Sequence, residues 1–218
     1  TLTDTVQNTS DTAQSARPFG TVRRAGTPQD YRFNQIVHQG LIGAVGPDAN
    51  MRQDGFQTAD KHARDRVRER VGEDQRLRDF TVQGGWLGIT DHYWLAAIIP
   101  SQDERISGYF DSRARDGHND YLASYRGQWR EIPAGGEVTY TQRLFAGAKR
   151  YELLRDYQAG NAERNEAPVP HFDDAIDWGH FFFLTRPFFA LLHWFGQLFA
   201  GWGVGFNFGL AILASTVI

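Results

Sequence analysis

Cysteine is absent from this chain of 218 residues, which excludes disulfides, thiol nucleophiles and cysteine zinc sites and leaves the redox compartment open. A basic excess is absent as well: 23 Lys and Arg face 26 Asp and Glu, for a formal net charge of -3. No field of the kind that holds a phosphate backbone by counterion release surrounds such a chain, so nucleic acid is not an expected partner. Catalytic signatures are also missing. His38, His62, His92, His118 and His171 form neither HExxH nor an i,i+4 pair, and no GxSxG occurs, so neither a zinc site nor a nucleophile elbow is expected. GGWLG at 84–88 is followed by no Lys-Ser/Thr and reads as a bulge or close strand packing rather than a phosphate loop. In DSRARDGHND, 111–120, Arg113 and Arg115 interrupt the alternating ligands of a calcium loop, which leaves a hairpin turn. The run HFDD, 171–174, reads as a helix cap at Asp173 or Asp174 rather than an acid and base pair. No catalytic residue, metal or cofactor is expected, and the chain does not read as an enzyme.

Charge is distributed unevenly. From Thr1 to about Pro170 the chain is polar, glycine-rich and full of short β-like runs, whereas Phe181 to Ile218 holds one formal charge, Arg186. TLTDTVQNT reads as a strand, and ARPFGTVRR follows closely enough to pair with it as a hairpin. YRFNQIVHQGLIGAVG gives two apolar runs broken at Gln39-Gly40. GGWLGIT, YWLAAIIP, ISGYFDSRAR, DYLASYRGQW and EVTYTQRLFAG are each short and bounded by turn residues, which is the rhythm of a β-sandwich. YWLAAIIP, apolar on both faces, suits a central strand.

Between these runs, ADKHARDRVRERVGEDQRLRDF nearly balances its charges. Asp60 with Arg64 and Asp74 with Arg78 have the spacing of solvated helix pairs, so 47–80 is expected as a charged insertion, either an exposed helix or a mobile segment. AKRYELLRDYQAG predicts a helical tail over 148–160, and NAERNEAPVPHF a linker stiffened by Pro168 and Pro170.

In FFFLTRPFFALLHWF, 181–195, Pro187 suits the first turn of a helix running to about 199. Arg186, Ala190, His193 and Gln197 would then form a narrow polar stripe. Phe188, Phe189, Leu191, Leu192, Trp194, Phe195, Leu198 and Phe199 fill an arc wider than the roughly 100° of a surface helix. Burying each would yield about 1.5–3 kcal/mol, so they require an apolar surrounding. After Gly201, WGVGFNFGLAILASTVI carries no charge and reads as most of a membrane-spanning helix. With Trp178 and Trp202 along the entry, the helix before it is expected in the membrane interface, touching the lipid bilayer.

ARPFGTVRRAGTP, IVHQGLIGAVG, GGWLGITDHYWLAAIIP and FDDAIDWGHFFFLTRPFFALLHWF, in that order, resemble the YidC family of bacterial membrane-protein insertases. The resemblance implies a mainly β fold, with residues 1–170 the later part of a periplasmic β-supersandwich. It implies further that 171–200 are a linker and amphipathic interfacial helix and that 201–218 start a transmembrane helix. The implied function is insertion and chaperoning of nascent inner-membrane proteins, alone or with Sec translocon components, at the bacterial inner membrane with 1–170 in the periplasm. The family's basic groove residue would follow Ile218, so no groove residue is assigned. The alternative is a membrane-tethered β-sandwich that binds carbohydrate, which the likeness of the family's periplasmic fold to sugar-processing sandwiches suggests and exposed Trp86, Trp94 or Trp129 lining one cleft would favour, or one that docks a protein partner.

Overall fold

A computed structural model describes residues 1–29, 31, 37–46, 49–70, 72, 74–177, 182–202 and 207–215. They fall into two compact units, Thr1–Ile176 and Asp177–Ile218. The first unit is mainly antiparallel β-structure. Its strands are β1 (Leu2–Gln7), β2 (Gln14–Ala16), β3 (Phe19–Ala25), β4 (Gly40–Ala44), β5 (Met51–Gly55), β6 (Arg78–Gln83), β7 (Trp86–Thr90), β8 (Trp94–Ile99), β9 (Arg105–Arg115), β10 (His118–Arg126), β11 (Arg130–Ile132) and β12 (Glu137–Ala148). Helix α1 (Phe56–Val67) follows β5, and α2 (Tyr151–Ala159) follows β12. One sheet has the order β1-β12-β8-β7-β4-β5, a second β3-β10-β9-β6, and β11 pairs with β2.

The expected runs are strands, and β8 lies inside the larger sheet between β12 and β7. The pairing expected at the start of the chain is corrected: β1 joins β12, with Leu2 opposite Gln142, and β3 joins β10, with Val22 opposite Ala123. Of the two apolar runs around Gln39-Gly40, the second is β4; residues 32–36 of the first lie outside the described set. Asp116 at φ 49 and Gly117 at φ 83 make the β9–β10 connection, the two positive φ values that a two-residue type I′ hairpin requires. Gly88 admits close strand approach, because a Cβ there would run into the carbonyl oxygen of Ala96 on the adjacent β8.

Both large sheets and α1 contribute to one core. Leu41, Trp86, Leu87, Leu95 and Ile99 of the larger sheet cluster with Ile106, Phe110, Tyr121 and Tyr125 of the smaller one and with Phe56 and Ala59 of α1. The segment expected as a linker contributes as well. Val169, Phe172 and Ala175 are core residues, the Phe172 ring meets those of Trp86, Phe145 and Tyr157, and Trp86 Nε1 donates to the Pro170 carbonyl at 3.0 Å. The short 3-10 helix Asp173–Ala175 has no side-chain cap; Asp174 instead contacts His171 Nδ1 at 2.8 Å.

The charged stretch holds the expected helix, α1, and many of its residues are exposed, but several of its charges are taken up by the sheets. Asp60 accepts from Tyr121 Oη at 2.6 Å and Asn119 Nδ2 at 2.7 Å rather than pairing along its own helix. Burial first, and then the Asp60 hydrogen bond, push the Tyr121 phenol well above its ordinary range. Arg78 grips Asp54 through Nε at 2.6 Å and Nη2 at 2.8 Å, a bidentate fork that raises the guanidinium pKa. Asp111, with its side chain only 1% exposed, accepts from Arg66 Nη2 at 3.0 Å, Arg76 Nη1 at 2.9 Å, Arg113 Nε at 3.1 Å and the Ser112 amide at 2.9 Å. Burial pushes its carboxyl up, but the hydrogen bonds and charges of Arg66, Arg113 and Arg76 outweigh that, and it is held below the usual carboxylate range. The Asp60 and Asp111 contacts fasten α1 and the turn before β6 to the smaller sheet, and Arg78–Asp54 links β6 to β5 of the larger one.

Candidate membrane-interface helix

The second unit holds α3 (Phe182–Gly201) and α4 (Phe208–Ser215), which pack against each other. Phe, Leu and Ala dominate α3, and only Thr185 is β-branched, so little opposes helix formation apart from one residue. That residue is Pro187, which stands inside the helix rather than at its start. A proline there withholds the N–H that would bond the carbonyl of Phe183, four residues earlier. The helix begins at Phe182, earlier than the position of Pro187 suggests.

At 20 residues α3 is roughly 30 Å long, enough for a hydrocarbon core. Its polar side chains, Thr185, Arg186, His193 and Gln197, dilute it, and α4 is too short at 8 residues. Among the described residues no helix is long and apolar enough to cross a membrane. Of the segment expected to start a span, α4 is what the structure describes; residues 203–206 and 216–218 lie outside the described set. Asn207 caps α4, its Oδ1 accepting from the Leu210 amide at 3.2 Å, the bond from the third helical amide that an N-cap side chain takes.

Exposure along α3 follows helical spacing: Pro187, Ala190, Trp194, Gln197 and Gly201 are exposed, and Gly196 is buried. Trp194 therefore shares the outward row with Ala190 and Gln197 of the expected polar stripe. Phe188 is 53%, Trp194 57% and Trp202 69% exposed, while Phe189, Leu191, Leu192, Phe195, Leu198 and Phe199 are half-buried. Trp178 lies outside the described residues. Rings stack along the helix from Phe195 to Phe199 and meet edge-on at Trp194–Phe195 and Phe199–Trp202. Leu210, Ile212 and Leu213 of α4 add exposed apolar surface that no individual sequence assignment singled out; they lie in the uncharged run, which was the only available signal. Six half-exposed large apolar side chains leave on the order of 5–10 kcal/mol of burial free energy unrealised. That surface can partition into an apolar phase; it offers no nucleophile or acid and base pair.

Elsewhere the three tryptophans of the carbohydrate reading do not converge. Trp86 is fully buried, whereas Trp94 and Trp129 are exposed. Trp94 lines a groove of about 380 Å³ with Val22, Arg24 and Asp91, which Trp129 does not share; Trp129 stacks under Arg17 instead, 4.5 Å from guanidinium carbon to ring centre. Among the described residues no three His, Asp or Glu side chains gather as metal ligands.

The chain was compared with known proteins. Residues 1–191 match the family model for the YidC periplasmic domain. A protein named membrane protein insertase YidC from Caulobacter vibrioides strain NA1000 is 38% identical over 227 residues, covering 100% of this chain and 34% of that protein. One of the same name from Methylobacterium radiotolerans is 38% identical over 219 residues, covering 99% of this chain and 32% of its own length. Another from Cereibacter sphaeroides strain ATCC 17029 is 36% identical over 225 residues, covering 100% of this chain and 33% of its own length. The chain thus spans about a third of the length of these relatives. The family model covers residues 1–191, most of the chain, and the chain belongs to the YidC periplasmic-domain family.

Proposed function

We propose that this chain is the periplasmic part of a bacterial inner-membrane insertase and chaperone, with α3 lying in the membrane interface and the segment from Gly201 onward starting a membrane span. The relatives' name, membrane protein insertase, supports the activity. The observation that carries the reading for this chain is the exposed Phe188 and Trp194 on a helix that holds one formal charge, with exposed Trp202 directly after it. Such a helix, apolar yet interrupted by Arg186, His193 and Gln197, is suited to the headgroup boundary, where aromatic rings are favoured and polar groups keep contact with water.

Insertion of a membrane protein is a non-covalent task, and its main barrier is the cost of carrying polar groups through hydrocarbon, about 2.5–3.5 kcal/mol for a charge on insertion scales. An interfacial helix lowers that barrier indirectly, by setting the depth and tilt of the neighbouring spans. Partners under this reading are the lipid bilayer, nascent inner-membrane proteins and Sec translocon components, and residues 1–170 stand in the periplasm. The reaction uses no catalytic side chain, metal or cofactor.

Flotation with liposomes tests the helix. Replacing Phe188, Leu192 and Phe195 together by Ser should reduce lipid-bound protein at least about tenfold, given roughly 1.5–3 kcal/mol for each large apolar side chain fully withdrawn from water. Undiminished flotation of the triple variant would refute the assignment.

A further inference from the structure

We propose that the outer face of the smaller sheet carries a binding site for a phosphate-type oxyanion, built from Arg23, Arg76, Arg113 and Arg115. Cross-strand partners share a face of a sheet. Leu122 stands opposite both Asp111 and Arg23, and Asp120 opposite Arg113, so these side chains project together. They border a concavity of about 570 Å³, within the roughly 300–1,000 Å³ of small-ligand sites.

The charge is of the wrong sign for the chain as a whole. Four arginines line the concavity against two carboxylates, Asp111 and Asp120, in a chain of net charge -3. Both carboxylates are buried beneath the arginines and hold each guanidinium by one nitrogen: Arg76 through Nη1, Arg113 through Nε, and Arg23 through Nη2 at 2.8 Å. Both terminal nitrogens of Arg113 therefore have no acceptor among the described residues, and Arg23 keeps its Nε and Nη1. Among the described residues Arg115 makes an ion pair only with the exposed Asp116, at 3.7 Å. Arg76 is held further by the Tyr109 ring, 4.2 Å from guanidinium carbon to ring centre, which adds a cation–π contact.

The buried aspartates thus orient guanidinium forks whose remaining donors face outward. Planar forks with spare paired donors match the oxygens of phosphate in two-point contacts, and the negative charge of a phosphate group offsets the local excess of positive charge. The phosphate can belong to an anionic lipid headgroup or to a free phosphate ester, and the experiment separates them.

Inorganic phosphate titrated calorimetrically into the 218-residue chain in detergent micelles should bind saturably at one site. The Arg23→Gln/Arg113→Gln variant should bind at least about tenfold more weakly, given the strength of charge-assisted hydrogen bonds. Should that variant unfold, Arg115→Gln, whose only ion pair is exposed, should still weaken binding by a measurable few-fold. Absence of saturable binding, or equal affinity in wild type and whichever variant is folded, overturns the proposal. So does displacement of phosphate by a Glu-rich peptide at concentrations below those at which phosphate itself binds, which would reassign the face to an acidic protein partner. Vesicles then identify the source. If phosphatidylglycerol vesicles retain wild type more than the arginine variant while phosphatidylcholine vesicles do not discriminate, the phosphate is a lipid headgroup's; if neither discriminates and the calorimetric response persists, it is a free ester's. Because α3 is the same in every protein compared, these outcomes are independent of the interfacial-helix reading.

Discussion

In the β-rich unit Phe56, Phe110 and Phe172 are fully enclosed, whereas Phe188 and Trp194 on α3, Trp202 just after it, and Ile212 and Leu213 on α4 stand more than half exposed. Polarity is distributed in the opposite sense. The β-rich unit takes Asp54, Asp111 and Asp120 into its interior, each held by at least one arginine, while α3 and α4 enclose mainly small residues, Gly196 and Ala211. The β-rich unit leaves Phe19, Trp94 and Trp129 exposed, yet it encloses a core of rings and three paired carboxylates of its own. A unit that leaves rings outside with almost no charge depends on something else for an apolar surrounding. The contrast teaches that composition alone does not separate a core from a contact surface; what separates them is whether a second layer is present to cover the side chains.

Substitutions can break or sharpen this contrast. The largest effect is expected from Phe172→Ala, which removes a ring held among Trp86, Phe145 and Tyr157 and should lower the unfolding free energy of the β-rich unit by roughly 3–5 kcal/mol. Phe188→Ala should leave the same denaturant midpoint unchanged, and a comparable loss there would erase the distinction between the two regions. Next comes Asp111→Asn, which leaves Arg66, only 10% exposed, without its counter-charge and should cost about 3 kcal/mol.

The pH dependence follows from the same carboxylate. Its folded pKa is depressed, so its contribution to stability is fully present above the ordinary carboxylate value of about 3.9 and is lost as pH falls through the folded value. Urea midpoints measured from pH 7 downward should therefore fall more steeply for wild type than for Asp111→Asn. The smallest effect is expected for Arg70→Ala. Its partner Asp65 is 3.9 Å away and Arg70 is 67% exposed, so equilibrium unfolding should change by less than about 0.5 kcal/mol. Arg66, the partner of Asp111, and Arg70 lie in the same charged stretch, and the difference between Asp111→Asn and Arg70→Ala measures how much tertiary contact matters there.

Much of this was legible in the residues. Short alternating or aromatic runs bounded by Gly, Pro, Asn and Asp announced β3, β7, β8, β9, β10 and β12, and Asp116-Gly117 announced its hairpin, because strand and turn preferences are local. The aromatic helix was legible for the same reason: eight large apolar side chains with one flanking charge violate the pattern of a self-contained helix. The ion pairs were not. Asp60 and Arg64 have ideal spacing along a helix, yet Asp60 is taken by Tyr121 and Asn119 on a strand more than 50 positions away. A buried phenol competing for a carboxylate in a low dielectric outweighs a solvated i,i+4 pair of about 0.2–0.5 kcal/mol.

By itself, then, the amino-acid order determined which segments extend, which coil, and which shed charge, since backbone preference and side-chain periodicity act over a few residues. Only the tertiary structure decided that β1 lies beside β12 and β3 beside β10, that Asp111 gathers three arginines, and that the prolines after α2 lead into the core through Pro170 and Phe172. Partner choice depends on which distant surfaces exclude water together, and no short window of sequence carries that information.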